Sequence, residues 1–343
     1  MTAPHPAVAE LRLAVRGVLA ELAGPGAAAH HDSPSATRTD ASALVLVACS
    51  GGADSLALAA ATGHEAPRLG LRAGAVIVDH GLQPRSDVVA ARTAQTCLDL
   101  GLQPVVVQRA RVDRDGSGPE ASARRARYAA LLEVAARHGA RMVLIAHTRD
   151  DQAEQVLLGL ARGSGARSLS GMPRRRGLFH RPLLDVGRAS TEAACAALGI
   201  RPWHDPHNLD PAYRRVRARR LLASMEAELG PGIGESLARS ADLLRQDSEA
   251  LEAMADSART GLGDGPIDVA AMAALPDAIR TRVWRAVAIE AGSPAGSLFA
   301  VHVHALDALV QQWHGQGPLQ LPGKVQARRC GALVHLEPGG PLE

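Results

Sequence analysis

The sequence predicts an α/β protein: a doubly wound, mostly parallel sheet followed by a smaller, mainly helical C-terminal domain. Three observations predict it. From about residue 42 to residue 161, short apolar runs alternate with helix-like segments. That order gives parallel strands joined by helices on both faces of a sheet. The runs are short, and none approaches the ~20 apolar residues of a membrane helix. From about residue 231 they give way to longer amphipathic segments, with a few strand candidates at the end.

Taken in order, "PAVAELRLAVRGVLAEL" predicts a helix over 6–22, and "AGPGAAAHHDSPSATRTD" after it reads as a flexible linker. The runs "SALVLVA" (42–48), "AGAVIVD" (73–79), "QPVVVQ" (103–108) and "RMVLIAH" (141–147) are strands, followed by helices from about 54 and near 85–100, 119–138 and 150–161. In the fourth of these unit pairs Thr148 and Asp151 also read as a helix-capping box. In the 119–138 helix, Tyr128, Leu131, Leu132 and Ala135 have the spacing of one buried face. "LFHRPLLD" suggests a short strand, "ASTEAACAALG" a helix, "PWHDPHNLDP" a polar loop and "YRRVRARRLLASMEAEL" a long helix. Three more helical segments and strands at "PLQL", "KVQARR" and "ALVHL" complete the chain, without an internal repeat. The expected organisation is an N-terminal helix and linker over 1–40, a sheet domain over 41–222 and the helical domain with its β tail over 223–343.

The 343 residues suffice for one large or two ordinary domains, and 46% are hydrophobic although only 2% are aromatic. Alanine, leucine and valine must therefore fill the core. Cys49, Cys97, Cys195 and Cys330 are widely separated with no CxxC. This argues against a disulfide framework, a zinc site or a cysteine-held cluster, and for a reduced, cytoplasmic protein. The net charge of +3 hides an asymmetry: Arg162 to Arg220 holds thirteen arginines against four carboxylates. Such a surplus suits a polyanionic partner. Arg174, Arg175, Arg176, Arg214, Arg215, Arg217, Arg219 and Arg220 are its densest parts.

Strand ends are where parallel sheets bind ligands. The first strand is followed by Ser50-Gly51-Gly52-Ala53-Asp54-Ser55 and then a helix. Glycines allow a tight turn and close approach of a ligand, and the helix start offers unpaired N–H groups to an anion. The loop has neither the GxxxxGK[ST] nor the GxGxxG layout. Taken alone, it also fits an ordinary strand-to-helix turn with a capping Asp or Ser. Asp79, His80 and His147 fall at further strand ends. Asp151 and Glu154 stand three apart on one helical face, suited to metal, amine or proton handling as well as to capping. Arg124 and Arg127, three apart on another helix, form a phosphate clamp or a solvated face. His302 and His304 do not share a face and read as structural, and His204 and His207 as local to their loop.

The six-residue loop resembles the PP-loop of the N-type ATP-pyrophosphatase superfamily, whose members use ATP to adenylate an oxygen and release pyrophosphate. Its fold, the adenine nucleotide alpha hydrolase-like sheet, is the one expected above. With "VDHGL", "RRARY", "AHTRDDQAEQVLL", "RGSGARSLSGM" and "RPLLDVGR…GIRPWHDPHNLD" in this order, the chain resembles the tRNA(Ile)-lysidine synthase family firmly over 42–222. "LPDAIRTRVWR" and "GPLQLPGKVQARR" extend the resemblance less specifically. One departure is Val216, which follows Tyr213 and Arg215 where that family commonly has asparagine.

The resemblance implies that ATP adenylates the C2 oxygen of the wobble cytidine in a CAU-anticodon isoleucine tRNA, and that L-lysine then displaces AMP. It implies an ATP cradle of Ser50, Gly51, Gly52, Ala53, Asp54 and Ser55, with Val78 and His80 near the adenine. Asp54 and Asp151 would hold magnesium. Asp54, Asp151, Glu154, Arg124, Arg127 and His147 would form the catalytic set, with the arginines of 174–176 and 214–220 and the C-terminal domain on the tRNA. A homodimer is also implied. The alternatives are another PP-loop ATP-pyrophosphatase, either a tRNA thiolase or a small-molecule amide synthetase, and a non-catalytic nucleotide- and RNA-binding module.

Overall fold

A computed structural model describes residues 3–23, 42–79, 81, 85–110, 119–163 and 165–338. His80 and most of the expected linker, 24–41, lie outside the described residues. The chain divides into two compact units, Met1–Asp242 and Leu243–Glu343. The division falls twenty residues beyond the expected boundary, inside a helix, and the N-terminal helix is part of the first unit. Packing explains both differences. The basic helix after 213 lies against the helix that carries Asp151, and the first helix packs on two helices of the sheet layer.

The first unit begins with α1 (Pro6–Ala23), then β1 (Leu44–Ala48), α2 (Ala53–Glu65), β2 (Arg72–Asp79), α3 (Ser86–Asp99), β3 (Val105–Arg109), α4 (Pro119–Arg137), β4 (Ala140–Ile145) and α5 (Arg149–Leu160). It continues with α6 (Ala166–Leu169), β5 (Arg175–Arg176), β6 (Phe179–His180), α7 (Arg188–Ala197) and α8 (Arg214–Leu229). The sheet order is β3-β2-β1-β4-β6-β5, parallel except for the β5–β6 pair. Buried β-branched and aliphatic side chains on both faces of β1 and β4 account for their nearly unbroken apolar runs. On one face, Val45, Val47, Leu144 and Ile77 join Leu11, Val15 and Leu19 of α1, Leu58 of α2 and Ala194 of α7. On the other, Leu46, Val76 and Val143 join Leu131, Val134 and Ala135 of α4.

The expected face of α4 needs one correction. Leu132 is 43% exposed, whereas Val134 is fully buried. Successive helical residues turn by about 100°, so Leu132 falls just past an apolar arc centred on Leu131 and Val134.

α9 (Ile233–Gly261) crosses the division between the units. The second unit adds β7 (Ile267–Asp268), α10 (Val269–Ala273), α11 (Asp277–Glu290), α12 (Ala300–Gln311), β8 (Leu319–Leu321), β9 (Val325–Cys330) and β10 (Leu333–Pro338). Its four strands form an antiparallel sheet in the order β7-β10-β9-β8. Its core gathers around Trp284, Leu306, Leu309 and Val334. No described helix is long and apolar enough to cross a membrane.

Candidate active site

β1 lies between β2 and β4, so the loop that leaves it opens at the point where the strand order reverses, the usual ligand crevice of such sheets. The loop's shape follows from its residues. Gly51 has φ +86°, and a Cβ there would meet Thr93 Oγ1 of α3 at 2.5 Å, so only glycine fits. Gly52 is extended and N-caps α2 without a side chain, leaving the first-turn N–H groups of that helix facing outward from the loop. Ser55 is buried. Its hydroxyl accepts from the Ser50 N–H at 3.1 Å and donates to the Gly52 carbonyl at 2.9 Å. Ser55 therefore braces the turn from inside, while Ser50 stays exposed at its rim. The Trp203 N–H donates to the Gly51 carbonyl at 2.9 Å, which brings the "PWHDPHN" segment against the loop.

An acidic half of the site is built by the first turns of α2, α5 and α7. Asp151 Oδ2 accepts from the Thr148 N–H at 2.9 Å, one arm of the predicted capping box. Its Oδ1 accepts from Arg188 Nη2 at 3.1 Å. Glu154 is buried, and its Oε1 receives Arg219 Nε at 2.8 Å with Arg188 Nη1 3.5 Å away. Its Oε2 is buried with no hydrogen-bond partner. Asp54 Oδ2 lies 3.6 Å from Arg188 Nε, and Oδ1 accepts from the Thr191 hydroxyl. Burial pushes the Asp54 carboxyl above its usual range, against the opposing pull of Thr191 and Arg188. For Arg188, burial works against the charge, but Asp151, Asp54, Glu154 and Asp150 outweigh it and raise its pKa. α7 is held here by its backbone: the Arg188 N–H donates to Asp150 Oδ2 at 2.8 Å, and the Arg149 N–H to the Val186 carbonyl at 3.0 Å.

A cationic half adjoins it. His147 follows β4 and is buried, with Arg181 Nε donating to its Nδ1 at 3.1 Å. Arginine can only donate, so Nδ1 is the acceptor and Nε2 carries the proton. Burial, aided by Arg181, Arg127 and Arg215 against the pull of Asp151, pushes the His147 pKa down to about 3. The ring is therefore neutral at neutral pH. Arg124 and Arg127 stand over the Tyr128 ring at 5.2 and 5.6 Å from its centroid, and the ring meets Phe179 edge-on at 4.8 Å. Burial lowers the pKa of Arg127, with Arg124 and Arg215 adding to the effect. The Tyr128 phenol also falls below its usual value: burial opposes this, and Arg124, Arg181 and Arg127 prevail.

The other residues singled out in the sequence are less uniform. Val78 is half-buried at the end of β2. Arg174 is held by both oxygens of Asp185, at 2.6 and 2.8 Å, whereas Arg175 and Arg176 are exposed on β5. Arg214 and Arg220 are exposed. Arg217 donates to the carbonyls of Pro211 and Ala212, and Arg219 belongs to the acidic cluster. Val216 is buried in α8, an apolar contact where asparagine was expected. Arg188, Thr191, Arg181 and Asp150 were not singled out. Arg188, Thr191 and Cys195 form a stripe at helical spacing along α7, with Cys195 Sγ 3.4 Å from the Ala53 carbonyl, and that spacing was the available signal.

Among the described residues no group of three or more His, Cys, Asp or Glu is arranged to hold a metal ion. Asp54 and Asp151 are two hard oxygen donors. Asp151 has both oxygens engaged, by the Thr148 N–H and by Arg188, so Asp54, whose Oδ2 accepts no hydrogen bond among the described residues, is the one that fits magnesium, a metal that takes one or two carboxylates along with phosphate oxygens and water.

A family model described as a PP-loop domain matches residues 29–226, and one described as a TilS substrate binding domain matches residues 267–333. The tRNA(Ile)-lysidine synthase of Streptomyces coelicolor is 52% identical, with 98% of this chain and 99% of that protein covered. The tRNA(Ile)-lysidine synthase of Thermobifida fusca is 53% identical, with 96% and 97% covered. Among solved structures, the U34-tRNA thiolase NcsA from Methanococcus maripaludis superposes with a TM-score of 0.53 at 17% identity, over 70% of this chain and 80% of that one, a likeness of fold.

Proposed function

Since this chain belongs to the tRNA(Ile)-lysidine synthase family, we propose that it uses ATP to join L-lysine to C2 of the wobble cytidine of a CAU-anticodon isoleucine tRNA. The observation that carries this reading is a convergence. A glycine loop at a helix start, a buried carboxylate with one free oxygen, and a neutral histidine among arginines meet at the ends of β1 and β4.

The loop backbone of Gly51, Gly52 and Ala53, with the Ser50 hydroxyl, cradles the ATP phosphates, and Ser55 keeps the cradle in shape. Asp54, whose Oδ2 accepts no hydrogen bond among the described residues, would hold magnesium, which when bound offsets phosphate charge and favours departure of pyrophosphate. The wobble base must leave its stack to reach the crevice, as single-stranded loops readily allow. Its C2 oxygen attacks the ATP α-phosphate, forming the O2-adenylate. Arg124, Arg127 and Arg215, with the Nε2–H of His147, face the phosphate of that adenylate and stabilise its charge.

Lysine's amine, with a reference pKa of ~10.4, must lose a proton before attacking C2. The partners of the two acids support dividing their roles. Asp151 has one oxygen in the helix cap and the other on Arg188, so it orients. Glu154 has an oxygen to spare, so it receives the ammonium and takes its proton. The N–C2 bond forms, the C2–O bond breaks and AMP leaves. Arg175, Arg176, Arg214 and Arg220 neutralise tRNA phosphates, and the second unit adds a further tRNA contact in the cytoplasm. Nucleoside digestion of tRNA incubated with the protein, ATP and lysine, followed by mass spectrometry, tests the reading. A cytidine carrying lysine is expected at the wobble position alone; unmodified cytidine with tRNA bound would refute it.

A further inference from the structure

Arg188 is absent from every role assigned above, yet among the described residues its guanidinium faces all three acids. Its Nε faces Asp54 at 3.6 Å, Nη2 faces Asp151 at 3.1 Å and Nη1 faces Glu154 at 3.5 Å. Asp54 comes from α2 and the Asp151–Glu154 pair from α5, about a hundred residues further along the chain, and each acid is wholly or partly withdrawn from water. Three carboxylates converging without a cation repel one another and rotate apart. One turn along α7, Thr191 fixes the other oxygen of Asp54. After these contacts Glu154 Oε2 is buried with no hydrogen-bond partner, while Asp54 Oδ2 keeps only its ion pair with Arg188 at 3.6 Å.

We propose that Arg188 is a positioning residue for the reaction: its planar guanidinium locks the loop aspartate to the acid pair and thereby presents a single carboxylate oxygen to the incoming amine. The fork geometry matters. An ammonium is a point charge and cannot span three acids arranged around a plane. The residue's fold role is separable, because α7 is anchored by the Arg188 backbone N–H on Asp150 and by the Arg149 N–H on the Val186 carbonyl. Neither bond needs the Arg188 side chain.

This inference rests on the lysine-joining reading, and the experiment separates the two. Lysine incorporation by the wild-type chain comes first; its absence would sink the reading itself. Arg188→Ala and Arg188→Lys are then compared for lysine KM, kcat, tRNA affinity and melting temperature, with and without added methylguanidinium. In Arg188→Ala, lysine kcat/KM is expected to fall about 10- to 100-fold, mostly through KM, with tRNA affinity unchanged. Methylguanidinium should restore part of that loss in Arg188→Ala and nothing in the wild type. Arg188→Lys should recover less than the added guanidinium does. Unchanged lysine KM in Arg188→Ala would overturn the proposal. So would a loss that neither lysine at the position nor methylguanidinium relieves. If Arg188→Ala fails to fold, Arg188→Lys decides: a raised lysine KM supports the proposal and a wild-type KM overturns it.

Discussion

Gly51→Ala tests the loop geometry most sharply. The new methyl carbon would sit 2.5 Å from Thr93 Oγ1, about 1 Å inside ordinary contact, on a backbone with φ +86°. The positive φ costs about 1–2 kcal/mol for a residue with a Cβ. The overlap costs about 1–3 kcal/mol, as overpacking does elsewhere in well-filled interiors. Together they predict a loss of about 2–5 kcal/mol in the first unit, concentrated at the loop. Thr93→Ala removes Oγ1 and leaves the nearest remaining side-chain carbon, Cβ, at 3.7 Å. The double variant Gly51→Ala/Thr93→Ala should therefore recover the overlap share and keep the φ share. The lost Thr93 bond to the Val89 carbonyl is common to both Thr93 backgrounds and cancels in the cycle. Native-state hydrogen exchange of β1 and β4 amides reads the stability of this unit, and ATP titration reads the cradle. Gly51→Ala within about 0.5 kcal/mol of wild type, or a double variant equal to the sum of the singles, would refute the reasoning.

Three further outcomes follow from the site. Glu154→Gln keeps an acceptor for Arg219 but no proton acceptor for lysine; steady-state lysine incorporation should fall about 100-fold or more with tRNA affinity intact. For His147, the unfolded chain takes up a proton near the ordinary 6.5, while the folded chain holds out to about 3. Its contribution to stability is thus complete above pH 6.5 and is lost on acidification through the window between these values, about 2 kcal/mol by about pH 5. The difference between wild type and His147→Gln in urea unfolding at neutral and acid pH isolates that share; equal pH dependence of the two would contradict it. Replacing Arg175, Arg176 and Arg214 together by alanine should reduce the slope of log Kd against log salt for tRNA by about 2–3. Arg174→Ala, whose guanidinium is already held by Asp185, should reduce it less than any of the three singly.

Local pattern carried much of the fold and part of the site. The alternation of apolar runs and helices announced the sheet because each strand is buried along its own length. The SGGADS loop, the Thr148–Asp151 cap and the i, i+3 acids were legible because their partners lie within six residues. Arg188 and Thr191 were not, because their partners are 37 and 137 residues away in the chain and meet only when three helix starts converge. The same holds for Arg181 on His147, 34 residues apart. The ring's protonation depends on that arginine at Nδ1, a contact no local pattern announces. Charge density pointed to the basic segment but not to its division of labour. Arg174 and Arg219 spend their charge on acids inside the first unit, while Arg175, Arg176 and Arg214 show theirs to solvent.

On the proposed reading, one crevice joins lysine to one tRNA and consumes ATP. Incorporation of radiolabelled L-lysine into a CAU-anticodon isoleucine tRNA transcript, with a methionine tRNA transcript as control and ATP–magnesium present or omitted, tests it most directly. Label in the isoleucine transcript alone, and only with ATP, is the predicted result. No label with folded protein and bound tRNA, or equal label in both transcripts, would contradict it.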